Sequence, residues 1–368
     1  MRVLFIGEKI RGDIGEGISN YEVGLIDGFK KLIDIGVIDT YSEVGIKGYD
    51  RDFIKKIVYL FLNAIRRLIK NPEKIRKGYK NYQKKGFSPD LIHYLNPSLV
   101  PLSPIKNKKS VVTFYDLFPV TSPRRMLSRG YARMQKKLFS KAVKKVDHII
   151  SISEQTKKDL IKYLKVPERK ITVIPISIKE EFVKTKVKNH KKKREFIIGF
   201  LTSIVPSKRP DLAIKIFNKV NEKLPNSKLE IYGKVRRNAF IEKIKKMSHG
   251  KVYFKGFVKE TERLKVMGGF DMFIYPSEVD GFGLPIIEAA ALGIPVITMQ
   301  DAHIPKEVVK SSIIAKDISD ASKKMINLLK NTKKRNSFAK KIAKNTRKEF
   351  SWNKTINETK KVYEEILK

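Results

Sequence analysis

The sequence predicts an α/β chain of two domains, each a parallel sheet covered by helices. Three observations carry this. Short apolar, β-branched runs alternate with segments of helical period along most of the chain, and such alternation requires parallel strands joined by crossover helices. Two of these runs empty into glycine-containing loops followed by a helix, at Gly12-Asp-Ile-Gly-Glu-Gly17 and at Asp280-Gly-Phe-Gly-Leu-Pro285. Between them, Lys184 to Arg194 is polar, strongly basic and nearly free of large apolar residues, and reads as an inter-domain linker over 184–195. At 368 residues the chain accommodates two domains of ordinary size.

In the first domain, 1–183, Arg2 to Gly7 is a buried strand, followed by Gly12, Gly15 and Gly17 and a helix from Ile18 through Phe29. The glycines lack the G-x-G-x-x-G spacing of a dinucleotide fingerprint. Val37 to Val44 is expected as a second strand. Residues 51–88 differ in kind: Phe53, Ile54, Ile57, Leu60, Phe61, Ile65 and Leu68 recur at helical spacing among many Lys and Arg. They fit either a helix lying on an anionic membrane surface or a domain helix with a solvated charged face. Strands are expected at Leu91–Leu95 and Ser110–Asp116, then a basic helix over 128–146, and strands at His148–Ser153 and Ile171–Ile176. Ser153 is a good N-cap for the helix after it. Asp116 stands at the carboxyl end of its strand, where open α/β sheets place ligands, or else caps the following turn.

The second domain, 196–349, begins with a strand, Phe196 to Leu201, and the loop Thr202 to Asp211. Strands at 228–232 and 252–254 and helices at 238–248 and 260–269 continue the alternation, and helices at 318–331 and 333–347 close it. The chemistry lies between the strands Met272–Tyr275 and Pro295–Met299. Gly281 and Gly283 bracket Phe282 in a turn, and Pro285 sits where a helix would begin. The loop therefore empties onto a helix N-terminus, whose open amides and dipole favour a phosphate. Asp280 and Glu288 flank the same mouth, and carboxylates accept hydrogen bonds from sugar hydroxyls.

Composition narrows the field. Hydrophobic residues make up 41%, so the chain is globular. Cysteine is absent, which excludes disulfides, cysteine-ligated zinc and thiol catalysis. The histidines at 93, 148, 190, 249 and 303 have no metal-ligand spacing, so no metal or other cofactor is expected. The apolar run Val3 to Ile6 is too short for a signal peptide, which leads us to expect a cytoplasmic protein, peripheral on the inner membrane face. Seventy-nine basic against 38 acidic residues give a net charge of +41, a field that attracts polyanions. Nucleic acid is not the expected partner, because no recognised nucleic-acid motif accompanies the charge. Lys-rich, Cys-free composition is also common in proteins of hot environments, which however balance Lys with Glu.

The order Pro276-Ser277, acid, Gly281-Phe-Gly-Leu-Pro285, Glu288-Ala289, Gly293-x-Pro295-Val296 resembles the donor-site signature of the family 4 retaining glycosyltransferases. Gly15-Glu-Gly-Ile-Ser-Asn-Tyr21, Thr113 to Pro119, Ser153 to Leu160 and Ser203 to Asp211 resemble the same family more loosely. The resemblance implies the GT-B architecture: two Rossmann-like domains facing a central cleft, with a C-terminal helix, 350–368, crossing back to the first. It implies transfer of a hexose from a UDP- or GDP-linked sugar to an acceptor hydroxyl in glycan biosynthesis, with retained configuration and without metal. The acceptor would be a sugar, a glycan or a polyprenyl-phosphate-linked glycan, reached through an anionic membrane contact of 51–88.

By the same resemblance, Asp116, Lys208 and Asp280 are the catalytic candidates. The donor would be held by Gly15, Gly17, Lys208, Arg209, Gly281, Phe282, Gly283, Leu284 and Glu288. Three positions depart from the family pattern. Asp280 replaces a glutamate, Tyr115 a histidine, and Ser203 an arginine that would bind phosphate, which Arg209 could replace. No residue is an evident nucleophile, so front-face attack assisted by the leaving phosphate is expected. Two rivals remain: a metal-dependent transferase using Glu278-Val-Asp280, and an inactive scaffold that binds anionic membrane or nucleic acid.

Overall fold

The computed structural model describes residues 1–7, 17–40, 71–103, 105–121, 129–191, 195–235, 238–248 and 250–368. Its contacts divide into two compact units, Met1–Ile176 with Trp352–Lys368, and Ser177–Ser351. Gly15, residues 41–44 of the expected second strand and the apolar part, 51–70, of the basic stretch lie outside the described residues.

The first unit opens with β1 (Arg2–Gly7), whose Val3, Leu4, Phe5 and Ile6 are all buried. A strand covered on both faces reads as a continuous apolar run, which is why it was legible. Helix α1 (Gly17–Lys30) and β2 (Asp34–Asp39) follow, β2 starting at Asp34 because its pairing with Arg2 begins there. Helix α2 is described over 71–84. Its Ile75 is buried and Tyr79 and Tyr82 pack on the core, while Arg76, Lys77, Lys80 and Lys84 are exposed. This half of the basic stretch is a domain helix with a solvated face. The unit continues with β3 (Leu91–Tyr94), β4 (Lys109–Phe114), a short α3 (Phe118–Thr121), α4 (Arg129–Lys145), β5 (His148–Ser151), α5 (Glu154–Leu164) and β6 (Ile171–Val173). All six strands are parallel, in the order β2-β1-β3-β4-β5-β6.

The second unit starts before the expected boundary. Residues 177–191 pack within it, from α6 (Glu180–Lys184) through a strap over the expected linker. The strap is anchored by Lys188 N–H donating to the Leu292 carbonyl at 2.9 Å, and by paired hydrogen bonds between the His190 backbone and the Asn336 side chain at 2.7 and 2.9 Å. The Lys188 ammonium also has structural partners, donating to the Gly268 carbonyl at 2.8 Å and to the Phe270 carbonyl. Then come β7 (Phe196–Leu201), α7 (Pro210–Lys223), β8 (Ser227–Tyr232), α8 (Asn238–Lys246), β9 (Val252–Gly256), α9 (Glu260–Gly269) and β10 (Met272–Ile274). The rest is α10 (Leu284–Ala291), β11 (Val296–Met299), α11 (Lys306–Val309), β12 (Ile313–Ala315), α12 (Ile318–Lys330) and α13 (Thr332–Glu349). The parallel order β12-β11-β10-β7-β8-β9 is that of the Rossmann sheet. Strand order reverses between β7 and β10, so the loops at their carboxyl ends diverge there and leave a crevice for a ligand.

The last helix, α14 (Trp352–Leu367), returns to the first unit and lies on α1. Two glycines admit it: a Cβ on Gly24 would stand 2.2 Å from the Trp352 ring, and one on Gly28 2.4 Å from Ile356. Tyr363 on α14 hydrogen-bonds Nδ1 of His93 on β3 at 2.6 Å, and Nε2 of His93 meets the Thr113 hydroxyl on β4 at 2.8 Å. Burial lowers the His93 pKa to about 3. A histidine held neutral in the fold contributes stability that is full above its unfolded pKa, about 6.5, and declines as pH falls toward 3. The expected loss between pH 6.5 and pH 5 is roughly 2 kcal/mol. Urea unfolding of wild type and His93→Gln at both pH values checks it: the variant should lack this part of the acid sensitivity.

Candidate active site

The candidate residues of the second unit gather at the β7/β10 switch point. After β7 the chain makes a tight turn, Pro206–Lys208, and Arg209 takes a left-handed φ of 50° before Pro210 starts α7. After β10 the loop from Pro276 to Gly283 is stitched on both sides. Glu278 N–H donates to the Ser207 carbonyl at 2.9 Å, and Glu278 and Asp280 exchange backbone hydrogen bonds with His303 at 2.8 and 3.1 Å. Gly283 then adopts φ 93°, which a side chain rarely tolerates, and Pro285 leads α10.

This framing brings Lys208 onto Asp280. The Lys208 ammonium and the Tyr275 hydroxyl both donate to Oδ2 of Asp280, and Phe282 N–H approaches Oδ1 at 3.4 Å. The Lys208 ammonium also lies 5.7 Å from the centre of the Tyr275 ring. Burial, and then the Asp280 charge, push the Tyr275 hydroxyl well above its ordinary pKa, so it stays a donor. Phe282 is buried edge-on against Phe350, with ring centres 5.9 Å apart, and anchors the loop. Gly281 and Leu284 are half-buried at the rim. Glu288, on α10, is 6% exposed, and its Oε2 accepts two hydrogen bonds from Arg263.

Other expected residues stand elsewhere. Arg209 turns to Asp301, with Nη1 2.8 Å from Oδ2, and does not join the Lys208 group in the position left by Ser203. Gly17 begins α1 in the first unit. Asp116, also in that unit, accepts from Phe118 N–H at 3.0 Å and so closes the turn into α3. Tyr115 is buried and donates to Oε1 of Glu22 at 3.3 Å. Burial and the Glu22 charge raise its pKa well above the ordinary value. Asp280, half of the rival acid pair, is engaged by Lys208 and Tyr275. Among the described residues no three His, Cys, Asp or Glu are grouped to hold a metal ion, and no helix is long and apolar enough to cross a membrane.

Arg263 is the residue that sequence reasoning missed. In Glu260-Thr-Glu-Arg263 it reads as one more solvated charge. The available signal was its place on the same stripe as buried Met267 and Phe270, at i, i+4 and i+7.

Comparison with known proteins decides the family. The model described as Glycosyltransferase Family 4 matches residues 17–182, and the one described as Glycosyl transferases group 1 matches 181–345. The chain belongs to glycosyltransferase family 4. Two units of this kind in one chain are the GT-B architecture. This family 4 chain is 25% identical over 232 residues to a poly(ribitol-phosphate) alpha-N-acetylglucosaminyltransferase of Staphylococcus aureus, covering 60% of the chain and 45% of the relative. It is 24% identical over 245 residues to the phosphatidylinositol N-acetylglucosaminyltransferase gpi3 subunit of Schizosaccharomyces pombe, covering 62% of the chain and 51% of that protein. The chain thus spans about half the length of these relatives. A glycosyltransferase from Rickettsia africae superposes with TM-score 0.70 and 16% identity over 100% of this chain and 98% of its own. Anabaena Alr3699/HepE in complex with UDP and glucose superposes with TM-score 0.68 and 13% identity, covering 99% of both chains.

The shared acceptor at Asp280 has a measurable consequence. Asp280→Ala leaves the Lys208 ammonium and the buried Tyr275 hydroxyl without it, and the expected loss of stability is about 1–3 kcal/mol. In a urea double-mutant cycle Tyr275→Phe should cost less in the Asp280→Ala background than in wild type; equal costs would show that the two do not interact.

Proposed function

We propose that this family 4 chain is a retaining glycosyltransferase that moves a hexose from a UDP- or GDP-linked sugar to an acceptor hydroxyl, without a metal. The observation that carries the reading is the convergence of Lys208 and Asp280 at the switch point, just ahead of the Pro285-led start of α10. A departing nucleoside diphosphate needs positive charge fixed in advance, and Lys208 with the first amides of α10 supplies it. Asp280, Gly281, Gly283 and Leu284 then take the sugar hydroxyls, and Glu288 the ribose. With no evident nucleophile among the described residues of the site, Asp280 being engaged by Lys208 and Tyr275, the acceptor attacks from the face the diphosphate leaves, and the leaving phosphate takes its proton. Asp116 would act on the acceptor from a carboxylate that the Phe118 amide holds at Oδ1.

The acceptor we propose carries phosphate, as a polyprenyl-phosphate-linked glycan does. Both named relatives have a phosphate-bearing acceptor in their names, and the chain's own excess of 41 positive charges suits one. The exposed cations of α2 and of α4 would meet an anionic leaflet, each contributing on the order of 1 kcal/mol.

Thermal unfolding against UDP, GDP, ADP and their hexose conjugates tests the donor site. One base series should raise the melting temperature by on the order of 5 °C at a hundredfold excess over Kd, and Glu288→Ala should abolish the shift. No shift with any nucleotide at millimolar concentration would overturn the reading. The reaction itself should yield product of the donor's anomeric configuration by NMR, at undiminished rate in excess EDTA. Sedimentation with vesicles containing phosphatidylserine tests the surface: binding is expected at low salt and should fall steeply as salt rises.

A further inference from the structure

Arg263 lies in the first turn of α9, and Glu288 follows the start of α10. Helices that follow parallel strands begin at the strands' carboxyl ends, so both residues share the sheet edge that carries Lys208 and Asp280. The Arg263 side chain is only 18% exposed and that of Glu288 7%. Nε and Nη2 of Arg263 donate at 2.8 and 2.5 Å, both to Oε2 of Glu288, and no described residue hydrogen-bonds Oε1. Burial alone would lower the Arg263 pKa, but the charge and hydrogen bond of Glu288 together with the Glu260 and Tyr275 charges raise it, so the guanidinium stays charged. The Arg263 charge also bears on the Tyr275 hydroxyl, which joins it to the Asp280–Lys208 group. A carboxylate gripped at one oxygen by a rigid planar fork has a fixed plane and one open acceptor.

We propose that Arg263 is a positioning residue for the donor nucleotide, clamping Oε2 of Glu288 so that Oε1 accepts a hydrogen bond from a ribose hydroxyl. The proposal rests on the donor-site reading above. It gives a buried arginine a part in nucleotide selection: the clamp rewards a sugar with its hydroxyl in place and penalises one without it. A purely structural ion pair would leave that selection untouched.

The test is calorimetric titration of the nucleoside diphosphate that stabilises the wild type, and of its 2′-deoxy and 3′-deoxy forms, into wild type, Arg263→Leu, Arg263→Lys and Glu288→Ala. Wild type should prefer the ribonucleotide to one deoxy form by about tenfold, the loss of one charge-assisted hydrogen bond. Arg263→Leu should bring that preference to within about twofold, as Glu288→Ala does, and Arg263→Lys, which keeps the charge without the fork, should fall between. Should Arg263→Leu not fold, Arg263→Lys decides. Full wild-type preference in either folded variant, with the preference lost in Glu288→Ala, would overturn the role of Arg263 and leave the donor site standing. If wild type binds no nucleotide, or Glu288→Ala keeps the preference, the assignment of Glu288 fails first and the clamp falls with it.

Discussion

The second unit is built around the reversal of strand order between β7 and β10. The two strands are parallel neighbours, but the connections that leave them run to opposite sides, so the loops at their carboxyl ends diverge. The structure closes the gap with one carboxylate. Asp280 receives the Lys208 ammonium from the β7 side and the Tyr275 hydroxyl from the end of β10, while the His303 backbone holds its peptide from the β11 side. Three connections are tied at one residue, and the start of α10 is aimed by the same tie. The groups that would stabilise a departing diphosphate are thus positioned before any ligand arrives.

The large positive charge divides into structural and unassigned parts. Helices α4 and α5 both end on the side of the first sheet where the strands begin, and the negative ends of their dipoles meet there. Lys144 and Lys145 occupy the last turn of α4, Lys170 donates to the Val143 carbonyl at 2.8 Å, and Lys165 caps α5 in a left-handed conformation. The Lys170 ammonium answers a helix carbonyl, the Lys165 backbone N–H answers another, and Lys144 and Lys145 sit where the α4 dipole favours cations. They do not by themselves mark an anion site. Arg76, Lys77, Lys80 and Lys84 of α2 and Lys136, Lys137 and Lys141 of α4 are exposed, and these are the cations that would meet the proposed anionic leaflet.

Most of the fold was legible because the central strands of both sheets are buried on both faces, so that β1, β4, β7, β10 and β11 appear as short runs rich in apolar residues, with Gly7 ending β1, Pro276 following β10 and Pro295 preceding β11. The elements that escaped are those whose signal is not periodic. Strand β12 has three residues, and Ile314 in its middle is 46% exposed. The strap through Lys188 and His190 looks like a linker because sequence shows a charge but not the carbonyl that receives it. The same blindness hid the clamp: Arg263 and Glu288 lie 25 residues apart on different helices, and only the fold brings them together. At the site, the loop and Glu288 were legible from glycine spacing and resemblance. The turn of Arg209 toward Asp301 was not, because it depends on a left-handed backbone at a non-glycine residue.

The shortened acid at 280 has a local physical reason. A carboxylate on one methylene can bend back toward the amide two residues on, as Asp and Asn do in turns, and Asp280 does so toward Phe282 while holding Lys208 and Tyr275. A glutamate would carry its carboxylate one bond farther from the loop and lose that closure. The serine at 203 shows no comparable compensation, since Arg209 is engaged elsewhere. Lys208 is therefore the one candidate cation the described loops bring to the phosphate position, and its hold on Asp280 must loosen, or be shared, when a diphosphate competes for the ammonium. A carboxylate that loses its lysine to phosphate becomes a free acceptor for a sugar hydroxyl. On the donor reading proposed above, the ion pair would couple arrival of the diphosphate to readiness for the hexose, with Tyr275 keeping Asp280 in place during the exchange.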